Sequence, residues 1–217
     1  MVRAILDGRK TQTRRSVKLD NAYHECGRHE ILEFREQNGK WFGLYEYNTV
    51  ASLVCPYGSI GDRLWVRETF NLPIVFDKES PKEVGDRCVK AGYRSPWSPV
   101  KYQADGDDRF LEMLNDFGGG WGKTRVSIHM PRWVSRITLE ITGIRVERLK
   151  DISEGDARRE GMECVLSDEY CEAEHTSEML YTHRAGFKDY LKHHGHMDWN
   201  ANPWVWVIEF KRVQHGT

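Results

Sequence analysis

RITLEITGIRVERL, residues 136–149, decides the fold class. Apolar Ile137, Leu139 and Ile141 alternate with Thr138, Glu140 and Thr142, the period of two that lays one face of a strand on a core. Gly143 is placed for a bulge before Ile144 and Val146 resume, so one long bent strand, or two, is expected. PWVWVIEFKRV, residues 203–213, is apolar on both faces as far as Glu209, as a strand covered on both sides would be. GDRLWVRETF (61–70) opens on a Gly-Asp turn and sets Leu64 and Val66 against Trp65 and Arg67, reading as a strand with one lined face. Residues 29–50 place alternating segments around Asn38-Gly39, the strongest short hairpin signal.

Helices are few and short. In MVRAILDG, Val2, Ile5 and Leu6 share a helical face, and Gly8 is placed to end the turn in a left-handed cap ahead of the strand KTQTRR. Ser153 caps a short helix through Gly155, Arg158 and Glu160, with Asp156 in the capping-box place and Gly161 at the exit. Ser177 to His194 repeats the pattern, with Leu180, His183, Phe187, Tyr190 and Leu191 on one stripe. Short strands with two or three helices at the crossings predict an α+β fold built on a small β-barrel of mixed pairing. No alternating βαβ rhythm supports a Rossmann sheet.

Between Asn71 and Arg125 the periodicity fades. Pro73, Pro81, Pro96, Pro99 and the glycines from Gly118 to Gly122 interrupt every candidate element. A single domain over 1–217 is expected, with an irregular insertion at about 71–125 whose Gly118–Gly122 cluster is a flexible loop.

Composition narrows the function classes. The chain has 39% hydrophobic and 30% charged residues, with 32 Lys plus Arg against 33 Asp plus Glu, so no basic excess announces nucleic acid. No run approaches the ~18 apolar residues of a membrane span, and the N-terminus lacks the apolar stretch of a signal peptide, so a cytoplasmic monomer is expected. The five cysteines are odd in number and scattered, which speaks against a disulfide framework.

Three motif readings fail. GGGWGKT lacks a glycine where a phosphate loop needs one, at Phe117. His24, Cys26 and His29, like His193, His194 and His196, have no second half at zinc-site spacing, so neither metal nor cofactor is expected. No G-x-S-x-G elbow presents a serine. What remains is Gly8-Arg9-Lys10-Thr11-Gln12-Thr13-Arg14-Arg15, dense in cations and hydroxyls after a helix end. On composition alone it is a solvated strand edge with basic residues facing the helix dipole.

LDGRKTQTRR, PYGSIGDRLWVRETF, SIHMPRWVSRITLEITGIRVERL, DISEGDARREGM and NPWVWVIEFKRV, in that order, resemble the ASCH proteins of prophages. The resemblance covers most of the chain outside 71–125 and implies a PUA-like small β-barrel flanked by helices, usually in an RNA setting. Prophage relatives commonly place one more strand ahead of this first segment, and without it an exposed sheet edge is expected. The better understood relatives are small bacterial N4-acetylcytidine amidohydrolases, which carry Gly-Arg-Lys-Thr-x-Thr-x-Arg and, in a later helix, E-x-x-A-x-x-E-x-M. The resemblance implies Lys10, Thr13 and Glu160 as catalytic residues and Arg15 as a substrate contact.

Opening an exocyclic amide needs a nucleophile, a base for its proton and stabilisation of the oxyanion. A threonine hydroxyl alone is too weak, whereas a lysine whose pKa is lowered by burial or neighbouring cations can act as its base. Glu160 then orients groups and delivers a proton to the leaving amine. Residues three apart on a regular strand point to opposite faces, so Lys10 must lie in the turn after Gly8, with Thr13 already in the strand. Trp65, Arg67, Arg132 and Trp133 offer aromatic and guanidinium groups that stack bases and hold phosphates, although for the two tryptophans taken alone core packing is the favoured role. The expected function is removal of an acyl group from the exocyclic amine of a modified cytidine, as nucleoside or RNA, with no membrane partner. The alternatives are a non-catalytic RNA or modified-base binding module and an ASCH-type ribonuclease.

Overall fold

The computed structural model describes residues 1–18, 33–44, 50–166, 181–194 and 197–213. In chain order come α1 (Val2–Leu6), β1 (Gln12–Ser16), β2 (Glu33–Gln37), β3 (Lys40–Leu44) and β4 (Val50–Leu53). Next are β5 (Arg63–Trp65), β6 (Phe70–Pro73), α2 (Pro81–Lys90), β7 (Val100–Tyr102), β8 (Asp108–Arg109) and β9 (Trp121–Arg125). The order closes with β10 (Thr138–Arg148), α3 (Glu154–Arg159), β11 (Val165–Leu166), β12 (Tyr181–Thr182), α4 (His183–His194) and β13 (Trp204–Val213). Contacts divide the chain into two compact units, one taking Arg3–Asp62 with Glu140–Lys211 and the other Arg63–Leu139.

In the first unit β13 lies between β1 and β10. The central place explains why WVWVIEF carries no polar face, and Val205 to Ile208 are buried without exception. Val205 and Val207 pack with Leu149, Ile152, Ala157, Met162, Phe187 and Leu191 under α3 and α4. On the other face Trp206 meets the edge of Trp41 at 5.9 Å. In the second unit, the Val66 N–H donates to the Ile137 carbonyl at 3.0 Å.

The sheet is antiparallel and curled as half a barrel, compatible with the expected small barrel in an α+β fold. The expected mixed pairing is corrected. Alternation reveals a strand but not its direction, which the connections set, and β1 meets β13 antiparallel, Gln12 opposite Glu209 through Ser16 opposite Val205. Asn38 and Gly39 both have positive φ, 54° and 73°, as a two-residue hairpin between β2 and β3 requires. RITLEITGIRVERL forms one strand, not two. The helix expected from Ser177 starts at His183, because Tyr181 and Thr182 pair with β11 and the Thr182 hydroxyl accepts from the Ala185 N–H. Residues 177–180 lie outside the described residues.

In the second unit, four strands run in the order β8-β7-β6-β9 over a core of Phe70, Leu72, Phe76, Val84, Val100, Tyr102, Met130 and Val134. The expectation of an irregular 71–125 is therefore corrected, as is that of a loop through Gly122, since Trp121–Arg125 pairs with β6. The elements are two to ten residues long, most too short to print a period, and the prolines bound them instead of breaking them. Pro81 opens α2 behind a Ser80–Glu83 capping box, in which the Ser80 hydroxyl accepts from the Glu83 N–H and the Glu83 carboxylate from the Ser80 N–H. GDRLWVRETF is likewise not one strand, because β5 ends at Trp65 and β6 begins at Phe70. Among the described residues, no helix is long and apolar enough to cross a membrane.

Candidate functional site

Lys10 lies between α1 and β1, in the turn that the face argument requires, and pairs as a lone antiparallel bridge with Glu160 at the end of α3. Gly8, at φ 73°, ends α1 as expected. Gly161 permits the approach. Its φ is 81°, and a Cβ there would stand 2.9 Å from the Ala4 Cβ and 3.0 Å from the Lys10 Cβ.

The Lys10 ammonium is buried and spends all three protons internally. It donates to the Gln12 carbonyl at 2.8 Å, the Glu160 carbonyl at 3.0 Å and Glu160 Oε2 at 2.7 Å. Burial pushes the Lys10 pKa below its ordinary value, with Arg15 and Arg14 adding to the effect, while Glu160 opposes it. The other Glu160 oxygen, Oε1, accepts from Arg14 at 3.1 Å.

Arg14 has no exposed side-chain surface and binds Glu147 through both Nε and Nη2, with Asp156 at 3.5 Å. Arg145 reaches Glu147 at 3.0 Å, Asp156 at 3.1 Å and Glu209, and Arg159 ties to Asp156. Lys10, Arg14, Arg145 and Arg159 are thus matched by Glu147, Asp156, Glu160 and Glu209, a charge-neutral cluster. Burial works against ionisation of Asp156, yet Arg159, Arg145 and Arg14 together hold its carboxyl below the usual range.

The register of β1 separates the remaining candidates. Gln12 and Arg14 turn to the α3 side, where the Gln12 amide donates to the Asp156 carbonyl at 2.9 Å. Thr13 and Arg15, opposite Ile208 and Trp206, turn to the other face, and Arg15 donates to the Thr13 hydroxyl at 3.0 Å. The Lys10 ammonium and the Thr13 hydroxyl flank the peptide that joins Gln12 to Thr13, without a hydrogen bond between them. Arg14, in the sequence only one of the cations near Lys10, is a hub of this cluster, and Gln12, Glu147 and Asp156 join it without having been expected there. The signal was the period of two, which puts Gln12 and Arg14 on one side of the strand.

Trp65, Arg67, Arg132 and Trp133 belong to the second unit. Trp65 and Trp133 pack against its apolar core. Arg67 lies over the Trp65 ring at 4.8 Å, and Arg132 donates to the Ser135 carbonyl at 3.4 Å and the Thr138 hydroxyl at 3.2 Å. In the first unit, Arg9 and Thr11, the neighbours of Lys10, line an open cleft of about 930 Å³ with residues from the end of α3 and with His183.

Among the described residues, no three His, Cys, Asp or Glu side chains are grouped to hold a metal, and Cys55, Cys88 and Cys164 are free thiols. His24, Cys26, His29, Cys171 and His196 lie outside the described residues. Compared with known proteins, the chain matches no family model, no curated protein and no solved structure.

Proposed function

We propose that the chain is an amidohydrolase that removes an acyl group from the exocyclic amine of a modified cytidine, in the manner of the ASCH-type N4-acetylcytidine amidohydrolases it resembles. One observation carries the reading: a lysine stripped of water, its pKa lowered, shares its proton with a carboxylate at 2.7 Å. Passing that proton to Glu160 leaves a neutral Lys10 amine, which takes the Thr13 hydroxyl proton through a bridging water, because the two groups flank the Gln12–Thr13 peptide without touching. The Thr13 oxygen then attacks the acyl carbon, the carbon–nitrogen bond breaks, and the leaving amine takes a proton from Glu160 or Lys10. Water hydrolyses the resulting ester, giving cytidine and the free acid and restoring Thr13.

A second reading, a binding module without chemistry, is favoured by the saturation of the Lys10 ammonium, which is what a purely structural lysine would show. Incubating the purified chain with N4-acetylcytidine and following cytidine and acetate by chromatography separates the two. Turnover that rises with pH and levels off below the ordinary lysine pKa of about 10.4 supports the hydrolase. Binding of the nucleoside without turnover replaces it with the binding module.

A further inference from the structure

The cleft beside Lys10 carries charge of which only Arg159 belongs to the buried cluster. Arg9, Arg158, Arg159 and the His183 ring line it, against the carboxylates of Asp7 and Glu163. Among the described residues Arg9 is tied only to Asp7, at 3.2 Å, with the two side chains 47% and 56% exposed, a pair that a multivalent anion displaces easily. Arg159 is held by Asp156 and Gln12. Arg158, in the last turn of α3, gives its guanidinium to no described residue. His183 is fixed as well, since its Nδ1 lies 2.9 Å from the Met162 carbonyl, which can only accept. The remaining ring nitrogen is left for a ligand or solvent. The volume falls at the upper end of the roughly 300–1,000 Å³ of small-ligand sites.

A guanidinium presents a planar fork that matches the spacing of phosphate oxygens, and two of them on one anion offset its loss of water. We propose that this cleft is a phosphate-binding site, which takes the phosphate of a nucleotide on Arg158 and Arg9. The phosphate chemistry stands on the cleft itself. That the phosphate belongs to a nucleotide rests on the function proposed for Lys10. Glu163 opposes the anion and limits its affinity.

Isothermal titration of the full chain with cytidine 5′-monophosphate, cytidine and inorganic phosphate tests the proposal. The monophosphate is expected to bind at least tenfold more tightly than cytidine. Arg158→Ala removes that advantage and Glu163→Gln widens it, with unchanged thermal midpoints because both side chains are exposed. Equal affinity for the two cytidines, or an advantage that survives Arg9→Ala/Arg158→Ala, overturns the proposal. A short oligocytidylate without terminal phosphates identifies the source. Arg158-dependent binding of the oligomer assigns the site to a backbone phosphate, and binding of the monophosphate alone assigns it to a terminal one. Arg158-dependent binding in a protein that leaves N4-acetylcytidine intact keeps this site and removes the catalytic reading. Turnover without any phosphate preference does the reverse.

Discussion

Each unit of the molecule is organised around one arginine. In the first, Arg14 holds Glu147, Asp156 and Glu160. In the second, Arg136 grips Glu68 through both oxygens, at 3.0 and 2.9 Å, reaches Asp105 at 2.8 Å and Asp107 at 2.7 Å, and lies 4.1 Å from the Tyr102 ring centre. The device is the same, yet only the first shares a carboxylate with a lysine. A guanidinium keeps its charge at every accessible pH, so carboxylates gathered on an arginine can position groups but cannot exchange a proton with it. Lys10 is therefore what turns one of two similar buried clusters into a candidate for chemistry.

The sharpest way to break that comparison is to exchange the two cations at equal charge. Lys10→Arg keeps the charge but has no proton to lose near neutral pH, and should lower turnover of N4-acetylcytidine by about 10²–10⁴-fold, the usual contribution of general acid–base catalysis. Arg136→Lys should leave turnover per folded molecule unchanged. Equal rates for Lys10→Arg and the parent would make Lys10 as structural as Arg136.

Stability should separate the clusters next. Glu160→Ala strands a buried ammonium and one arm of Arg14, and breaking such a pair costs about 3–5 kcal/mol. Glu68→Ala should cost less, because Arg136 retains Asp105 and Asp107. Urea denaturation of both variants checks the order, and a larger loss for Glu68→Ala would reverse it. Inactivity of Glu160→Ala is thus informative only beside Glu160→Gln, which keeps the shape.

Acid should weaken both clusters, the first more steeply. The Asp156 pKa lies below its unfolded value near 3.8, so its stabilising effect is complete above that value and is lost as pH falls through the folded one. Asp105 is shifted the same way by its hydrogen bond to Arg136, but it is more exposed. Asp156→Asn should flatten the acid limb of the stability curve as pH falls below the ordinary aspartate value, and Asp105→Asn should do so less. Matching acid limbs for Asp156→Asn and the parent would show that its arginines give no net preference for the ionised form.

Local periodicity made part of this arrangement legible. The alternation of Ile137, Leu139 and Ile141, the two-faced apolar run of β13, the Asn38-Gly39 turn and the caps at Ser153 and Gly161 all report on neighbours a few residues away. The second unit was not legible because its strands are shorter than a readable period and its core is assembled from residues 70 to 134. At the candidate site, the meeting of Lys10 with Glu160 spans 150 positions, beyond the reach of any local spacing. The strand parity that sends Gln12 and Arg14 one way and Thr13 and Arg15 the other is present in KTQTRR, but parity alone does not say which side meets the distant carboxylates.

The smallest effect tests whether the second cluster is as inert as the comparison requires. Tyr102 is buried beneath Arg136, and its hydroxyl donates to the Val134 carbonyl at 2.7 Å. Burial pushes its pKa up to about 12, so the phenol should stay protonated on ultraviolet titration past the point at which an ordinary tyrosine ionises, near 10. Tyr102→Phe keeps the ring under Arg136 and removes one neutral hydrogen bond, while Val134 still accepts from Arg109 at 3.0 Å. The expected loss is therefore about 1 kcal/mol, with no change in turnover or its pH profile. A shifted pH profile in Tyr102→Phe would mean that the second cluster does exchange protons with the reaction, and the distinction between the two arginine clusters would fail.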